Sequence, residues 1–157
     1  RARSFGMKLL GNDIIPIAPD FLVENQVELT GLEDLLRRSD FVSLHTDLNP
    51  TSYHLINAQT LSYMQPTAVL IKTTLGPVVD EPALVEALQR GQIAGAALDV
   101  FEVEPLPSDS LLLRMDQVML AAHNSNSSPA AWERVHRNTL RNLLEGLDIA
   151  VDQAFEF

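Results

Sequence analysis

The sequence predicts an α/β fold built on a doubly wound parallel sheet. Two observations lead to this prediction. Strand-like and helix-like segments alternate along the chain, and the strand-like runs are continuously apolar, as in AVLIKTT at 68–74. Strands that are apolar on both faces are typical of parallel sheets covered by helices on each side, whereas half-exposed antiparallel strands alternate apolar and polar residues.

Short, apolar segments that favour extended structure predict the strands. They are MKLLGND at 7–13, FVSLH at 41–45, AVLIKTT at 68–74, GAALDV at 95–100 and QVMLAA at 117–122. In an open α/β sheet, ligands and catalytic groups gather at the carboxyl ends of the strands. The residues that follow these segments are therefore the first place to look for a functional site.

Capping signals and apolar periodicity predict the helices at 30–40, 57–64, 81–90 and 127–146. In the first of these, Thr30 and Glu33 have the spacing of a capping box. The helix at 81–90 has Pro82 in its first turn and Gly91 as its C′ residue. Ser128 caps the last and longest helix.

Composition and charge narrow the class of partner. With 46% apolar and 20% charged residues among 157, the chain is expected to be one folded domain rather than a disordered segment. Its net charge of −10 argues against nucleic acid or an anionic membrane surface as partner, because both require a positively charged face. Small molecules are the expected ligands.

Residue usage also limits the chemistry and the location. The chain has no cysteine, which excludes disulfides, a thiolate nucleophile and cysteine-ligated metal. Its four histidines show no metal-ligand spacing, so no metal site is expected, and His54 and His136 are interpreted as surface or packing residues. No apolar stretch is long enough to cross a membrane and the N-terminus lacks the layout of a signal peptide, so a cytoplasmic location is expected.

Asp13 indicates a dinucleotide-binding unit. Such a unit has a strand, a G-x-G-x-x-G turn and a helix, with an acidic residue about 20 residues after the glycines. If Asp13 is that acid, the glycine motif would precede Arg1, and RARSFG reads as the last turn of a helix. The chain is therefore expected to lack the first, central strand of a 3-2-1-4-5-6 sheet. The gap would lie between the strands at 7–13 and 68–74.

Several longer segments resemble one known family. In order, they are FGMKLLGND, LEDLLRRSDFVSLH, LINAQTLSYMQPTAVLIKTTLGPVVDEPALVEALQRGQIAGAALDVFEVEPLP and AAHNSNS. They resemble the nucleotide-binding domain of the D-isomer-specific 2-hydroxyacid dehydrogenases, a family that includes the phosphoglycerate dehydrogenases. The resemblance runs from residue 5 to residue 146 and is most specific in VVDEPALVEALQRGQIAGAALDVFEVEP. It implies a Rossmann-like fold.

The resemblance implies a reaction and an acid–base pair. Family members have two Rossmann-like domains with NAD and substrate in the cleft between them, and a hydride passes between the nicotinamide and the carbon that bears the hydroxyl. His123 would transfer the hydroxyl proton and Glu104 would orient it. An imidazole can give and take a proton near neutral pH, and a carboxylate partner fixes its tautomer and stabilises the cation. The family usually has Thr-Pro where this chain has Ala121-Ala122.

The resemblance also implies contacts to NAD. Asp13 would bind the adenosine ribose hydroxyls, which favours NAD over NADP, and Asp99 would bind the nicotinamide carboxamide. The other implied cofactor residues are Thr73 and Thr74, in the turn that faces the nicotinamide, and His45 and Ser52, along the cofactor groove. Asp47 stands where the family has proline.

One turn departs from the family pattern. The family has an Asn-Thr-Ala-Arg-Gly-like turn whose arginine holds the substrate carboxylate or carbonyl. Here Leu75 stands in place of the arginine and Lys72 in place of the asparagine. Three accounts remain open: another basic group, such as Lys72 or one from a further domain, holds the substrate; the protein binds NAD(H) without efficient turnover; or the site is degenerate.

The predicted function is an NAD-dependent oxidoreductase that acts on the CH–OH group of a 2-hydroxy acid, with an altered substrate site. The alternative is a catalytically impaired NAD(H)-binding sensor or scaffold protein. The predicted organisation is a partial NAD-binding domain at 1–146 and, at 147–157, the start of a segment that returns to a substrate domain. The resemblance implies a small 2-hydroxy or 2-oxo acid as substrate and a homo-oligomer.

Overall fold

Parallel strands and helices alternate in the computed structural model, which describes residues 1–125 and 127–147. The strands are β1 (Leu9–Gly11), β2 (Val27–Leu29), β3 (Phe41–Leu44), β4 (Val69–Lys72), β5 (Gly95–Leu98) and β6 (Val118–Leu120). The α-helices are α1 (Pro19–Asn25), α2 (Leu32–Arg38), α3 (Ala58–Leu61), α4 (Glu81–Gln89) and α5 (Pro129–Gly146). Short 3₁₀ helices occur at Ala2–Phe5, Gly76–Val78 and Leu111–Arg114. This alternation confirms the predicted α/β class.

The strands form two parallel sheets rather than the single sheet that was predicted. The larger sheet has the order β3-β4-β5-β6, and β1 pairs with β2 in a separate two-stranded sheet. β1 and β4 are not paired, as predicted, but the predicted gap beside β4 was wrong. β3 fills that position, with a register that runs from Phe41↔Val69 to Leu44↔Lys72. The reason is that strands consecutive along the chain tend to become neighbours through a short crossover, here the one that contains α3.

α1 and β2 were not predicted. α1 has no side-chain cap and buries none of its residues, and β2 has three residues, of which only Val27 is partly buried. Elements this short and exposed leave no periodic signal in the sequence. β2 is held by parallel pairing with β1, from Leu9↔Val27 to Gly11↔Leu29.

The helix starts differ in part from the capping signals. α2 follows Gly31 without a side-chain cap, and the Thr30 hydroxyl donates to Oδ2 of Asp34 at 2.6 Å, so the capping box predicted there was wrong. A capping box does form at α3. The Asn57 side chain accepts the N–H of Thr60, and the Thr60 hydroxyl accepts the N–H of Asn57.

α4 begins and ends as its sequence predicts. Asp80 caps it by accepting the N–H of Ala83 at 3.1 Å, and a proline occupies its first turn. Gly91 lies just beyond its end with a φ of +63°, a conformation that favours glycine. These signals are local, so they set the helix bounds independently of the surrounding fold.

The core lies between the four-stranded sheet and helices α2, α3 and α4. Leucines from both layers are almost fully buried, namely Leu36, Leu61, Leu70, Leu84, Leu88 and Leu98. Burying one leucine side chain is worth roughly 1.5–3 kcal/mol. This packing fixes the ends of β4 and β5, from which the candidate site extends.

A second compact unit begins at Asn124 and contains α5. Ser128 caps α5 by accepting the N–H of Ala131 at 3.1 Å, as predicted. No helix among the described residues is both long enough and apolar enough to span a membrane. Apart from Leu147, the predicted segment 147–157 lies outside the described residues. The division into 1–146 and 147–157 therefore stays a prediction.

Candidate active site

Three loops meet at the carboxyl edge of the four-stranded sheet. They follow β4, β5 and β6, and this edge is where open α/β sheets bind ligands. Gly76, in the loop after β4, lies so close to the loop after β5 that an added Cβ would be 2.0 Å from the Phe101 carbonyl oxygen. His123, in the loop after β6, donates its backbone N–H to the Asp99 carbonyl oxygen at 2.9 Å. The three loops therefore form one surface.

His123 and Glu104, the pair that the resemblance implies, are in contact at this edge. Nδ1 of His123 lies 2.9 Å from Oε2 of Glu104. Because a carboxylate can only accept, Nδ1 carries the hydrogen, which leaves Nε2 for proton exchange. This hydrogen bond, which Nδ1 of His123 donates to Glu104, raises the pKa of His123 and lowers the pKa of Glu104. His123 also has a φ of +53°, a conformation that is rare outside glycine and concentrates at functional sites.

Glu104 is held from both sides. Its Oε1 accepts the N–H of Phe101 at 2.9 Å, while its Oε2 faces His123. The bond from Phe101 lowers the pKa of Glu104 further, after the larger effect of His123. Two hydrogen bonds to different parts of the chain fix the direction of the carboxylate, so the imidazole is oriented by a group that is itself oriented.

Asp99 joins the ends of β4, β5 and β6. It is 5% exposed, its N–H donates to the Lys72 carbonyl oxygen at 3.0 Å, and its own carbonyl accepts from His123. Its charge adds to the rise that Glu104 causes in the pKa of His123. The position is compatible with the predicted contact to the nicotinamide, which stays a prediction.

The turn after β4 presents Leu75 and two threonines. Leu75 is 47% exposed, so its side chain lines the surface rather than the core. Thr73 is exposed as well. The buried hydroxyl oxygen of Thr74 has no hydrogen-bond partner among the described residues. An orphaned hydroxyl at this edge fits a polar group of a bound ligand, because buried polar groups are almost always paired.

Lys72, at the end of β4, is 1% exposed. Its Nζ donates to the Gly76 carbonyl oxygen at 3.0 Å. Burial lowers its pKa, and the nearby charges of Glu81, Glu102 and Glu104 oppose that shift. The side chain turns inward, under the turn, so the geometry argues against Lys72 as the group that takes over the arginine's role by direct contact with a substrate.

Gly76→Ala is expected to lower the free energy of unfolding by roughly 1–3 kcal/mol, because the added methyl would overlap backbone atoms. It would lie 2.0 Å from the Phe101 carbonyl oxygen and 2.8 Å from Cα of Glu102. Urea unfolding measures this change. Gly146→Ala is the control, since nothing lies within 4 Å of an added Cβ there. A wild-type midpoint for Gly76→Ala would contradict the close approach of the two loops.

Asp13 and His45 are exposed, as groove residues should be. Asp13 follows β1, and its Oδ1 accepts the N–H of Ile15 at 2.9 Å. His45 follows β3, with its Nε2 2.9 Å from the Ser43 hydroxyl. Both lie just beyond the carboxyl ends of parallel strands, yet β1 and β3 belong to different sheets. Their contacts to NAD stay predictions.

Ser52 is buried inside its own loop. It is 2% exposed, and its hydroxyl donates to the Asp47 carbonyl oxygen at 2.6 Å. Oγ of Ser52 in turn accepts the backbone N–H of Asn49 at 2.9 Å. The Asp47 carboxylate accepts from the Asn49 side chain at 2.8 Å. This geometry favours a structural role for Ser52, in shaping the loop, over the predicted contact to NAD.

A second histidine–glutamate pair was missed. Nε2 of His54 lies 2.9 Å from Oε1 of Glu102, and Oε2 of Glu102 accepts the N–H of Glu81 at the start of α4. The Glu81 side chain accepts the N–H of Glu102 in return, at 3.1 Å. His54 therefore connects its own loop with the loop after β5 and, through Glu102, with the start of α4, rather than only packing. The partners are 48 residues apart in sequence, so no spacing signal could have indicated the pair.

Asp13, Thr74 and Asp99, three of the residues implied for NAD, are compatible with such a cofactor. Asp13 supplies an exposed carboxylate beyond a parallel strand, which suits ribose hydroxyls. At the carboxyl edge, the Thr74 hydroxyl has no partner within the part of the chain that the structure describes, and the Asp99 carbonyl oxygen accepts the backbone N–H of His123. Within the described ranges, no three histidine, aspartate or glutamate side chains converge as a metal site would require.

The sequence matches a known family model over residues 1–125, described as D-isomer specific 2-hydroxyacid dehydrogenase, NAD binding domain. It is 46% identical over 144 residues to a glyoxylate reductase of Korarchaeum cryptofilum, and the aligned region covers 92% of this chain and 43% of that protein. It is 40% identical over 133 residues to a D-3-phosphoglycerate dehydrogenase of Methanocaldococcus jannaschii, and here the aligned region covers 83% of this chain and 25% of that protein.

The fold is similar to solved dehydrogenases. It matches the crystal structure of apo D-mandelate dehydrogenase from Rhodotorula graminis with a TM-score of 0.83 and 32% identity, over 91% of this chain and 41% of that one. The chain thus spans less than half the length of these relatives.

Proposed function

This chain belongs to the D-isomer specific 2-hydroxyacid dehydrogenase family, whose NAD-binding domain it carries, and from this premise we propose that the protein is an NAD-dependent oxidoreductase with an altered substrate site. Its reaction interconverts a small 2-hydroxy acid and the corresponding 2-oxo acid. The catalytic residues are His123 and Glu104. The observation that carries the proposal is their 2.9 Å contact at the carboxyl edge of the sheet.

His123 moves the proton. When bound, the nicotinamide cofactor would supply the hydride for reduction of the 2-oxo acid, or accept it in the reverse direction. In reduction, Nε2 of protonated His123 donates to the substrate carbonyl oxygen, because Nδ1 is engaged by Glu104. Glu104 holds the ring in place and stabilises the imidazolium before transfer. In oxidation, neutral His123 takes the hydroxyl proton at the same nitrogen.

The remaining site residues bind the cofactor. Asp13 binds the hydroxyls of the adenosine ribose, and Asp99 binds the nicotinamide carboxamide. Thr73 and Thr74 form the turn that faces the nicotinamide ring. His45 lines the cofactor groove. The chain covers less than half the length of its relatives. The proposal therefore includes a separate substrate domain, assembly as a homo-oligomer and a location in the cytoplasm.

Glu104→Gln is expected to shift the pH profile of 2-oxo acid reduction to lower pH. Glu104 raises the pKa of His123 above its ordinary value. Reduction requires protonated His123, so kcat/KM is high below that pKa and falls as pH rises through it. Glutamine still accepts from Nδ1 but carries no charge, so the imidazolium loses stabilisation and its pKa falls. The measurement is kcat/KM with NADH across pH for a panel of small 2-oxo acids.

Glu33→Gln serves as the control for this profile. Glu33 is an exposed carboxylate of α2 paired with Arg37, so its removal should leave the profile unchanged. The assignment of Glu104 fails if Glu104→Gln and the wild type lose activity at the same pH.

A second candidate function rests on Leu75. An NAD(H)-binding sensor or scaffold needs the cofactor groove but not the arginine fork, and leucine offers no hydrogen bond to a carboxylate. This candidate predicts that the complete protein binds NADH, measured by quenching or enhancement of its fluorescence, while no 2-oxo acid is turned over. Turnover of any 2-oxo acid that depends on His123 decides in favour of the oxidoreductase.

A further inference from the structure

We propose that Lys72 is a positioning residue for the acid–base pair, holding the turn at 73–76 against the loop that carries Glu104. The effect of Lys72 on turnover rests on the proposed function, whereas its effect on the geometry of His123 and Glu104 does not. The inference comes from the burial of Lys72, from an unbroken series of contacts to His123, and from the charges that surround it.

The burial of Lys72 is the first observation. The chain has two lysines, and whereas Lys8 is exposed, Lys72 is 1% exposed and among the largest fully buried side chains of the described residues. Removing an ammonium group from water is strongly unfavourable, and a well-packed apolar side chain of similar volume is often equally or more stable. A gain in stability therefore does not explain a lysine at this position.

A series of short contacts leads from Lys72 to the catalytic pair. Nζ of Lys72 donates to the Gly76 carbonyl oxygen at 3.0 Å. Gly76 lies directly against the Phe101 carbonyl group. The Phe101 N–H donates to Oε1 of Glu104, and Oε2 of Glu104 faces Nδ1 of His123, each at 2.9 Å. A shift of the turn would therefore reach Glu104 through backbone atoms, without any flexible side chain between.

The charges around Lys72 give the third observation. The charges of Glu81, at the start of α4, and of Glu102 and Glu104, in the loop after β5, raise the pKa of Lys72 and so oppose the larger lowering that burial causes. In return, Lys72 contributes to the lowered pKa of Glu104, after the larger effects of His123 and Phe101. Lys72 is therefore coupled to Glu104 by charge as well as through the series of contacts.

Lys72→Met tests the inference in the complete protein. Methionine has a similar length, so the fold should be kept, with a Tm equal to or above that of the wild type because a buried charge is removed. We expect kcat to fall about a hundredfold, the loss that a misplacement of about 1 Å can cause, while Kd for NADH stays unchanged. Lys72→Gln keeps a donor for the Gly76 carbonyl and should recover most of kcat. Lys8→Met, which removes the exposed lysine, should leave all three quantities unchanged.

A second readout needs no turnover. The pKa of the His123 imidazole, followed by NMR titration, should fall in Lys72→Met towards the value found in Glu104→Gln, because Glu104 would no longer be held against the ring. If the wild type reduces no 2-oxo acid, the proposed function fails but this titration still decides the inference. Two results would overturn it: an unchanged His123 pKa in Lys72→Met, or a Tm that falls in parallel with kcat, which indicates a purely structural role.

Discussion

Replacing His123 with alanine in the complete protein is expected to reduce the rate of hydride transfer about a hundredfold to ten-thousandfold, which is the usual contribution of a general acid–base group. The substrate carbonyl would lose the proton donor, and no other imidazole contacts Glu104 among the described hydrogen bonds. Binding of NADH should be nearly unchanged, since the ring is half exposed and its Nδ1 is occupied by Glu104 rather than held for the cofactor. The measurements are single-turnover oxidation of NADH with a 2-oxo acid and Kd for NADH.

A matched histidine controls for general effects of the substitution. His136 lies on α5 and contacts the Trp132 ring at 5.6 Å between ring centroids, so His136→Ala should retain wild-type turnover. Wild-type turnover in His123→Ala would remove the catalytic assignment of this residue, and a parallel loss of NADH binding would show that the ring serves the cofactor instead.

Leu75→Arg is expected to raise kcat/KM for small 2-oxo acids about a hundredfold or more. A guanidinium offers two parallel hydrogen bonds to a carboxylate, and a charge-assisted contact of this kind contributes roughly 2–4 kcal/mol to transition-state binding. The other parts are in place, because Glu104, His123 and Asp99 already meet at the carboxyl edge. Leu75 is 47% exposed in this chain, so an arginine there could stay solvated rather than bury an unpaired charge.

The competing hypothesis is that the pocket is refitted for a less acidic substrate, for which Leu75 is an apolar contact surface. The two hypotheses differ in the wild type. The deciding measurement is kcat/KM with NADH for a panel of 2-oxo acids that range from charged to apolar side chains, on wild type and Leu75→Arg. Leu75→Met, with similar reach and no charge, is the control that should resemble the wild type.

Each outcome of that panel has a clear meaning. Activity that rises only in Leu75→Arg supports a lost arginine. Wild-type activity on apolar substrates that falls in Leu75→Arg supports the refitted pocket. Absence of turnover in both proteins, with NADH still bound, supports the sensor or scaffold and contradicts the expected gain.

The sequence by itself determined the features that depend on a few adjacent residues. The α/β alternation follows from apolar runs, and the bounds of α4 follow from Asp80 at its start and Gly91 at its end. The resemblance, read residue by residue, paired His123 with Glu104, and these side chains are in contact in the structure. The resemblance also predicted that Leu75 stands in place of the family arginine, and in the structure Leu75 is 47% exposed.

Only the tertiary structure decided features that depend on which distant segments meet. The sequence of an apolar strand does not specify which other strand it pairs with. The pairing of β1 with β2 and of β3 with β4 could therefore not be predicted from these segments. Lys72 looked available to a substrate until the packing turned it inward, towards Gly76. Ser52 and His54 likewise took their partners from the loop contacts. The physical reason is that capping and periodicity act over one or two turns of chain, whereas burial and hydrogen bonding depend on the register of whole strands.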